Sequence, residues 1–342
     1  MPRHKGGHGN LSRSLGLGAG MRAIRVHTYG GPDQLRYETV PDPGPGPGNV
    51  RVRVEATGVN FKDVYNRTGH YPTPLPFTPG TEAAGTIDVI GPGVTTLRLG
   101  DRVAYDGPLG AYAELHIVPA ERIVVLPAGV DTRQGAAAML QGMTAHYLTA
   151  STFPLSLGDT ALIHAAAGGT GLLLTQIARR RGARVIGTVS TPEKAALATA
   201  AGANDVILYT ERDFEVETKR LTDGRGVDVV YDSVGKTTFD KSLRSLRPRG
   251  MMVLFGGSSG PVPPLDPLEL MRRGSLYLTR PTLTNYASDP AEMRARADEV
   301  LSWIADGSLK LRIGHEYPLR DAAQAHRALE GRETTGKILL IP

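Results

Sequence analysis

The segment His-Ala-Ala-Ala-Gly-Gly-Thr-Gly at residues 164–171 constrains the fold of this chain more than any other feature. It partly matches the pattern G-x-G-x-x-G, in which three glycines shape a dinucleotide-binding turn. Gly168 and Gly171 fill the second and third glycine positions, whereas Ala166 stands at the first. This partial match is compatible with a phosphate-binding loop and equally with a tight turn between two packed elements. The sequence on either side of the loop distinguishes these two interpretations.

The flanking sequence is typical of a strand, a loop and a helix in succession. The apolar run TALIHA (160–165) precedes the glycines, and the residues after them that recur at helical spacing are Leu173, Leu174, Ile177 and Ala178. Arginines at 179–181 and Gly182 end the helix, and ARVIGTVS (183–190) is the next strand. In such a unit, free backbone N–H groups and the helix dipole point at the loop. We therefore predict that the phosphates of a dinucleotide are bound by Ala166, Gly168, Gly169, Thr170 and Gly171.

The alternation of strands and helices continues after this unit. The further strand-like runs are DVILY (205–209), VDVVYD (227–232), MMVLFGG (251–257) and SLYLTR (275–280). The helical stretches between them lie around 192–201, 212–222 and 237–246. Six strands in this rhythm predict an α/β fold with a doubly wound parallel sheet, its cofactor crevice at the carboxyl ends of the first and fourth strands.

Residues 21–143 are mostly β in pattern. The short runs separated by Gly and Pro are RAIRVHTY (22–29), VRVRVEATGV (50–59), GTIDVIG (85–91), DRVAY (101–105) and AELHIV (113–118). They predict a compact, barrel-like domain. Residues 284–342 contain two amphipathic helices and the closing strand GKILLIP. We expect this segment to return to the first domain, because its strand would complete a fold that the β-rich half leaves open.

Residues 1–20 differ from the rest of the chain. They are rich in Gly, Ser and Arg, lack any acidic residue and contain no apolar core of a secretory signal. We interpret them as a disordered extension before a second candidate start at Met21. Arg3, Lys5 and Arg13 supply three of the five net positive charges, so the remainder carries a formal charge of +2. That near-neutral balance argues against nucleic acid as a partner.

Composition narrows the class of protein further. The chain contains no cysteine, which excludes disulfides, thiol nucleophiles and thiolate metal sites. A reducing compartment is compatible with that absence, and we expect a cytoplasmic protein. Residues 161–178 lack any charged residue over 18 positions, the length of a membrane span. Because His164, three glycines and two threonines interrupt the run, a buried strand, loop and helix is the better interpretation, and we expect no membrane association.

The strand after the glycine-loop helix indicates NADP(H) rather than NAD. NAD-specific sites usually carry an acid at the end of this strand, bonded to the ribose 2′-hydroxyl. Here the strand ends at Ser190, and the first acid is Glu193. Thr191 and Pro192 read as the N-cap and first residue of a helix, which places Lys194 in the first turn, where a cation opposes the dipole. Lys194 is then either a solvated lysine or, with Ser190, a ligand of a 2′-phosphate; we favour the second.

A series of motifs in fixed order resembles a known family. The motifs are GVNFKD (58–63), GTEAAG (80–85), GDRVAY (100–105), HAAAGGTGL (164–172), VYDSVG (230–235), FGGSSG (255–260), SLYLTRP (275–281) and LLIP (339–342). They resemble the zinc-independent quinone oxidoreductases of the medium-chain dehydrogenase/reductase superfamily, which include zeta-crystallin. The resemblance runs from Met21 to Pro342. It implies a GroES-like catalytic domain in two segments (21–143 and 284–342) that enclose a Rossmann NADP-binding domain (144–283).

The same resemblance bears on metal chemistry. In zinc-dependent alcohol dehydrogenases of the superfamily, a cysteine stands at the position of Asn60 and a histidine at that of Thr81, before Glu82. Both catalytic zinc ligands are therefore replaced, in agreement with the absence of cysteine. We expect no metal cofactor and no alcohol oxidation by the zinc route.

The resemblance also implies roles for individual residues. The nicotinamide and substrate cleft would be lined by Asn60, Asp63, Tyr65, Tyr71 and Thr144. The adenosine 2′-phosphate would be bound by Ser190, Lys194, Tyr209 and Arg332, although a bacterial relative has glycine at the position of Ser190. Loops near the nicotinamide would contain Gly235, Phe255, Gly256 and Ser258. Simpler interpretations stay open for three residues: Asp63 could pair with Arg67, Tyr71 could pack on proline, and Thr144 could cap the next helix.

Together these features predict hydride transfer from NADPH to a quinone or conjugated carbonyl, in which the protein orients two planar partners and excludes water. One alternative is an alkenal or enoyl-thioester reductase on the same scaffold. Another is an NADPH-binding protein that binds RNA or senses redox state, although the low charge and the lack of an aromatic-basic motif argue against it. The strand SLYLTR would leave an open apolar sheet edge in a monomer, so we expect a homodimer paired through that edge.

Overall fold

The structure is a computed structural model, and it describes residues 20–342. The predicted disordered extension therefore lies outside the described residues, except for Gly20. The strands are β1 Met21–Arg25, β2 Arg36–Val40, β3 Asn49–Val59, β4 Glu82–Ile90, β5 Arg102–Asp106, β6 Leu115–Pro119, β7 Val124–Val125, β8 Thr160–Ile163, β9 Arg184–Val189, β10 Asp205–Leu208, β11 Val227–Asp232, β12 Leu246–Leu254, β13 Tyr277–Thr279, β14 Ile313–Pro318 and β15 Lys337–Ile341. The α-helices are α1 Phe61–Thr68, α2 Thr132–Tyr147, α3 Gly169–Arg180, α4 Pro192–Ala200, α5 Phe214–Leu221, α6 Phe239–Arg244, α7 Pro267–Arg272, α8 Leu283–Tyr286, α9 Pro290–Ala305 and α10 Ala322–Glu330.

Six strands form a parallel sheet in the order β10-β9-β8-β11-β12-β13. This is the doubly wound order 3-2-1-4-5-6, so the predicted sheet is confirmed. Every residue of β8 and of β11 is buried, as expected for strands covered by helices on both faces. The first and fourth strands of this domain, β8 and β11, are neighbours, and connections leave them in opposite directions. Their carboxyl ends therefore open a crevice at the predicted place.

Seven strands form the second main sheet. Its order is β14-β15-β3-β4-β5-β7, and β6 also pairs with β3. The strand β15 lies antiparallel to β3, with Leu339 opposite Gly58 and Leu340 opposite Thr57. The expectation that the closing strand GKILLIP joins the β-rich segment is thereby confirmed. It also places β15 beside the segment that leads into α1.

The helix α2 joins the two sheets. Asp131 caps it, since its carboxylate accepts a hydrogen bond of 2.8 Å from the Gln134 backbone N–H. Small residues allow α2 to approach β4 and β5 closely; a Cβ added at Gly135 would lie 3.1 Å from that of Ala104. The helix runs without a break through the predicted boundary at 143/144, and the limits of the two domains stay a prediction. None of the helices in residues 20–342 has both the length and the apolarity that crossing a membrane requires.

The structure also contains elements that the sequence patterns did not indicate. The additional elements are the strands β2, β7 and β14 and the helices α1, α2, α7 and α8. Strand β12 begins at Leu246, five residues before the predicted run. Strand β13 has only three residues, because it lies at the edge of the sheet and pairs on one side alone. The N-cap at Thr191, Pro192 at the first helical position and Gly182 after α3 are confirmed.

Candidate active site

A cleft of about 920 Å³ lies between the two sheets. It follows the carboxyl ends of β8, β9 and β11 on one side, and α1, α2 and the segment 329–338 line the other. Fifteen of the eighteen site residues that the sequence indicated line this single cleft. The exceptions are Asp63, Ala166 and Gly235.

The glycine loop places the amino end of α3 against the cleft. Ala165 adopts a left-handed backbone with φ of +51°, and its carbonyl accepts a hydrogen bond of 2.9 Å from the Gly168 N–H. A methyl group at Gly171 would overlap that carbonyl, so only glycine lets α3 pack against the turn. The first intrahelical bond of α3 runs from the Leu172 N–H to the Gly168 carbonyl, which leaves the N–H groups of residues 169–171 for an anion. The loop therefore fits a pyrophosphate.

Ala166 does not line the cleft, which corrects its predicted contact with the cofactor. Its N–H donates to the Thr188 carbonyl at 3.1 Å, so that group is not available to a phosphate. Its side chain is buried beside Gly187, where an added Cβ would lie 2.9 Å away. The left-handed residue of the turn is Ala165 and not Ala166, which explains how alanine replaces the first glycine.

The residues indicated for the 2′-phosphate lie at one end of the cleft, and they are Ser190, Lys194, Tyr209 and Arg332. The Lys194 ammonium donates a hydrogen bond of 2.7 Å to the Arg332 carbonyl, which joins α4 to the segment after α10. The Arg332 guanidinium makes no hydrogen bond within residues 20–342. Nearby, Lys241 pairs with Asp213 at 2.6 Å. Two cationic side chains, Lys194 and Arg332, thus remain for an anionic ligand.

Aromatic side chains line the other end. The rings of Tyr65 and Tyr71 meet edge to face, 5.1 Å apart, and His70 stacks on Tyr71 at 5.3 Å. The Tyr65 hydroxyl accepts a hydrogen bond of 3.0 Å from the Gly257 N–H, which ties α1 to the loop after β12. Burial raises the pKa of Tyr65, so its phenol stays protonated and keeps its hydrogen for donation. Thr144 also lines this end; because it lies inside α2, it does not cap a helix.

Asn60 belongs to a buried polar network beneath the aromatic end. Its side-chain N–H donates to Glu82 at 2.9 Å, while its oxygen accepts from the Lys337 ammonium at 2.9 Å and from Gln141 at 3.3 Å. The Lys337 ammonium also pairs directly with Glu82. Both charged side chains are buried, 2% and 0% exposed, and the Leu140 N–H donates to the second Glu82 oxygen at 2.6 Å. The amide of Asn60 is therefore held at both ends.

These residues do not fit a catalytic zinc ion. The Thr81 hydroxyl donates to Asp106 at 2.8 Å, so it is directed away from Asn60's network. The carboxylate of Glu82 and the amide oxygen of Asn60 both contact an ammonium group, which is itself a cation. An amide, a hydroxyl and a carboxylate that is already paired with an ammonium do not make the set of histidine, cysteine and carboxylate ligands that binds catalytic zinc.

Asp63 does not line the cleft, which corrects its predicted place there. Its carboxylate accepts hydrogen bonds from the Asn60 backbone N–H at 2.8 Å and from the Tyr112 hydroxyl at 3.0 Å. Burial raises the pKa of Asp63 to about 6. The alternative pairing with Arg67 is also wrong, because that guanidinium pairs with Glu330 at 2.8 Å. Asp63 thus positions the start of α1 and does not face a substrate.

Gly235 is likewise absent from the cleft surface, whereas Phe255, Gly256 and Ser258 line it. Gly235 has φ of +87°, and an added Cβ would lie 3.0 Å from the Gly260 carbonyl oxygen. Glycine is therefore required by the turn after β11, which supports the loop at 255–260.

Several lining residues were not among those predicted from the sequence, although two of them, Lys62 and Arg280, lie within the motifs GVNFKD and SLYLTRP. They are Lys62, Gln141, Tyr147, Arg212, Lys241 and Arg280. Gln141 and Tyr147 lie on α2, and the helical spacing of apolar residues in 132–147 could have revealed that element. No local signal distinguishes Lys62 or Arg280 from surface cations, since only the approach of the two sheets brings them to one cleft.

Comparison with known proteins agrees with this architecture. Residues 46–128 match the family model described as an alcohol dehydrogenase GroES-like domain, and residues 169–302 match that of a zinc-binding dehydrogenase. The chain is 47% identical over 323 residues to a quinone oxidoreductase of Pseudomonas aeruginosa, covering 94% of this chain and 99% of that protein. It is 44% identical over 329 residues to a 2-haloacrylate reductase of a Burkholderia species, covering 94% and 98%.

Among solved structures, quinone oxidoreductase of Escherichia coli in complex with NADPH has a TM-score of 0.92 at 43% identity, covering 94% of this chain and 100% of that one. The predicted combination of a GroES-like domain with a Rossmann domain is confirmed. The chain belongs to the quinone oxidoreductases of the medium-chain dehydrogenase/reductase superfamily.

Proposed function

We propose that this protein is an NADPH:quinone reductase that works without a metal ion. The observation that carries the proposal is the continuous cleft, which has a phosphate-binding loop and two cations toward one end and an aromatic wall at the other. The complex of the Escherichia coli relative with NADPH supports the choice of cofactor. A cytoplasmic location stays a prediction.

The residues that line the cleft fall into two groups, one that would bind the cofactor and one that would bind the acceptor. The backbone N–H groups of Gly169, Thr170 and Gly171 would hold the pyrophosphate, and Lys194 and Arg332 would hold the 2′-phosphate. When bound, NADPH supplies a hydride to an electrophilic acceptor. Tyr65 and Tyr71 would orient a flat ring and exclude water.

In this proposed reaction Asn60 would position other groups and would not transfer a proton. Both ends of its amide are engaged by Glu82 and Lys337, and an amide has no proton to give at neutral pH. We propose that it supports the nicotinamide end of the cleft with Thr144, while the protonated Tyr65 hydroxyl donates a hydrogen bond to an acceptor oxygen. A reduced quinone oxygen is a weak base, so a stronger protein acid is not required.

The choice of cofactor is tested by Lys194→Ala. A charge-assisted contact at a partly exposed site contributes about 1.5–3 kcal/mol, so NADPH should bind roughly tenfold to a hundredfold more weakly while NADH binding is unchanged. Arg332→Ala should also weaken the binding of NADPH and not that of NADH. The loss of NADPH affinity should be larger than in Lys194→Ala, because a guanidinium can bind phosphate through two hydrogen bonds. The exposed Arg320→Ala is the control. If NADPH and NADH binding were weakened equally, the role of Lys194 would be limited to its hydrogen bond with the Arg332 carbonyl.

The acceptor is tested by steady-state rates with quinones, enones and crotonyl thioesters. We expect quinones to have the highest kcat/KM. Similarity to a 2-haloacrylate reductase favours one second candidate, reduction of a conjugated double bond. Activity confined to enones or thioesters would replace the quinone proposal with that one.

We also propose a homodimer paired through β13. Tyr277 and Leu278 on this edge strand are 58% and 37% exposed, and Leu268 and Met271 on α7 are also exposed. Burial of this apolar edge against its two-fold mate would extend the sheet. Sedimentation should give twice the chain mass for the wild type and a monomer for Leu278→Asp. A stable wild-type monomer at micromolar concentration would contradict the pairing.

A further inference from the structure

We infer that the aromatic end of the cleft binds acceptors that carry an anionic group, and that Arg280 is the partner of that group. The inference rests on the proposed function, because it concerns the acceptor in the same cleft. It adds a charge requirement to an acceptor otherwise described as a neutral conjugated ring.

Arg280 directly follows β13, at the carboxyl edge of the parallel sheet. Its guanidinium lies 3.5 Å from the Tyr71 hydroxyl and donates to the Pro281 carbonyl at 3.3 Å. Within residues 20–342 it forms no ion pair with any carboxylate, unlike Arg272 and Arg273, which both pair with Glu269. A guanidinium has five N–H donors, so most of the donors of this cleft-lining side chain have no partner within the described residues.

A second cation lies on the opposite wall. Lys62 is half-buried in the first turn of α1 and lines the cleft beside Asn60. In the described part of the chain, its ammonium makes neither a hydrogen bond nor an ion pair. A cation at the amino end of a helix is opposed by the helix dipole, so the fold itself does not stabilise this charge.

The local acids form no ion pair with either cation. Asp106 also lines the cleft, but it is 6% exposed and accepts the Thr81 hydroxyl. Asp63 follows Lys62 in the chain, but it is buried and accepts from Asn60 and Tyr112. Asp213 is paired with Lys241, toward the 2′-phosphate end. Within residues 20–342, Lys62 and Arg280 therefore both lack a carboxylate partner, and a cleft concentrates the field of such cations.

The geometry selects a class of acceptor. Tyr65, Tyr71 and Tyr147 form walls suited to a flat conjugated system, and the planar guanidinium beside them suits a carboxylate or sulfonate, which it can grip through two bonds. The acceptor predicted here is a quinone or conjugated carbonyl compound with a carboxylate or sulfonate substituent.

The test uses a matched pair of acceptors, 1,2-naphthoquinone and 1,2-naphthoquinone-4-sulfonate. The sulfonate also changes the reactivity of the ring. The two acceptors are therefore compared through the ratio of the variant's kcat/KM to that of the wild type, taken separately for each acceptor. In Arg280→Met, kcat/KM for the sulfonate should fall roughly tenfold to a hundredfold, and that for the neutral quinone should stay within about twofold. Lys62→Met should act on the sulfonate in the same direction, by a smaller factor. Arg320→Met is the control, since this exposed arginine lies outside the cleft.

Two further measurements separate the outcomes. At saturating NADPH, added salt should lower the wild-type kcat/KM for the sulfonate alone, and this dependence should weaken in Arg280→Met. Equal losses with both acceptors, or a weaker dissociation constant for NADPH in Arg280→Met, would overturn the inference, because Arg280 would then support the cofactor or the fold. No change with either acceptor would also overturn it.

Failure of the proposed function gives a different result. If the wild type reduces neither quinone, calorimetric binding of the sulfonate to the enzyme saturated with NADPH still decides the role of Arg280. Binding that Arg280→Met abolishes supports the anion site, and binding unaffected by the variant refutes it.

Discussion

The buried pair of Lys337 and Glu82 allows a quantitative test of how the site is held together. The two side chains are 2% and 0% exposed, and Gly58 leaves the space for them, since an added Cβ would lie 2.6 Å from the Lys337 Cε. In Lys337→Met, Glu82 keeps hydrogen bonds from Leu140 and Asn60 but loses its counter-charge. Breaking a buried pair in this way should lower the free energy of unfolding by about 3–5 kcal/mol.

The reciprocal variant should cost a similar amount. In Glu82→Gln, the ammonium keeps the Asn60 oxygen as an acceptor but is left as an uncompensated buried charge. The double variant Glu82→Gln/Lys337→Met buries no charge and keeps nearly the same volume. Its free energy of unfolding should therefore lie within about 2 kcal/mol of the wild type, far less than the sum of the single losses.

Urea unfolding at neutral pH and fixed protein concentration gives the four free energies of this cycle. The coupling energy should be at least about 3 kcal/mol. Single variants that each lose less than about 1 kcal/mol, or a double variant that loses their full sum, would refute the reasoning. The kcat/KM of the double variant then tests whether the charged pair serves only to position Asn60. A value equal to that of the wild type means that uncharged hydrogen-bonding partners are enough to hold Asn60 in place.

Two further predictions follow from the same geometry. Gly171→Ala should destabilise the protein by about 1–3 kcal/mol and weaken NADPH binding, because its methyl group would meet the Ala165 carbonyl. Gly169→Ala is the control, since its methyl group would meet only the movable end of the Gln141 side chain. Equal shifts of the melting temperature in the two variants would contradict the argument. Burial raises the pKa of Asp63 from 3.8 to about 6, so the stabilisation by its neutral form is present below about pH 4 and lost as the pH rises through 6. The difference in unfolding free energy between Asp63→Asn and the wild type should therefore move in favour of the variant by about 2 kcal/mol from pH 4 to pH 7, and a constant difference would contradict it.

Features that depend on neighbouring residues were accessible from the sequence. The strand, glycine loop and helix at 160–182 and the cap at Thr191 and Pro192 follow from periodicity and turn residues close together in the chain. The parallel order of the Rossmann strands was predicted from the alternation of strands and helices along the chain. Backbone conformation responds to local sterics and local hydrogen bonds, so a short segment contains the necessary information. The position of the crevice then follows from the strand order.

The tertiary structure decided the chemistry at the floor and far end of the cleft. Lys337 lies 255 residues from Glu82 and 277 from Asn60, and only the pairing of β15 with β3 brings them into contact. Asp63 faces Tyr112 inside the protein, although its position in the motif GVNFKD suggested the cleft. The charge state and contacts of a side chain depend on burial and on groups from distant segments, and neither quantity is written in the residues next to it.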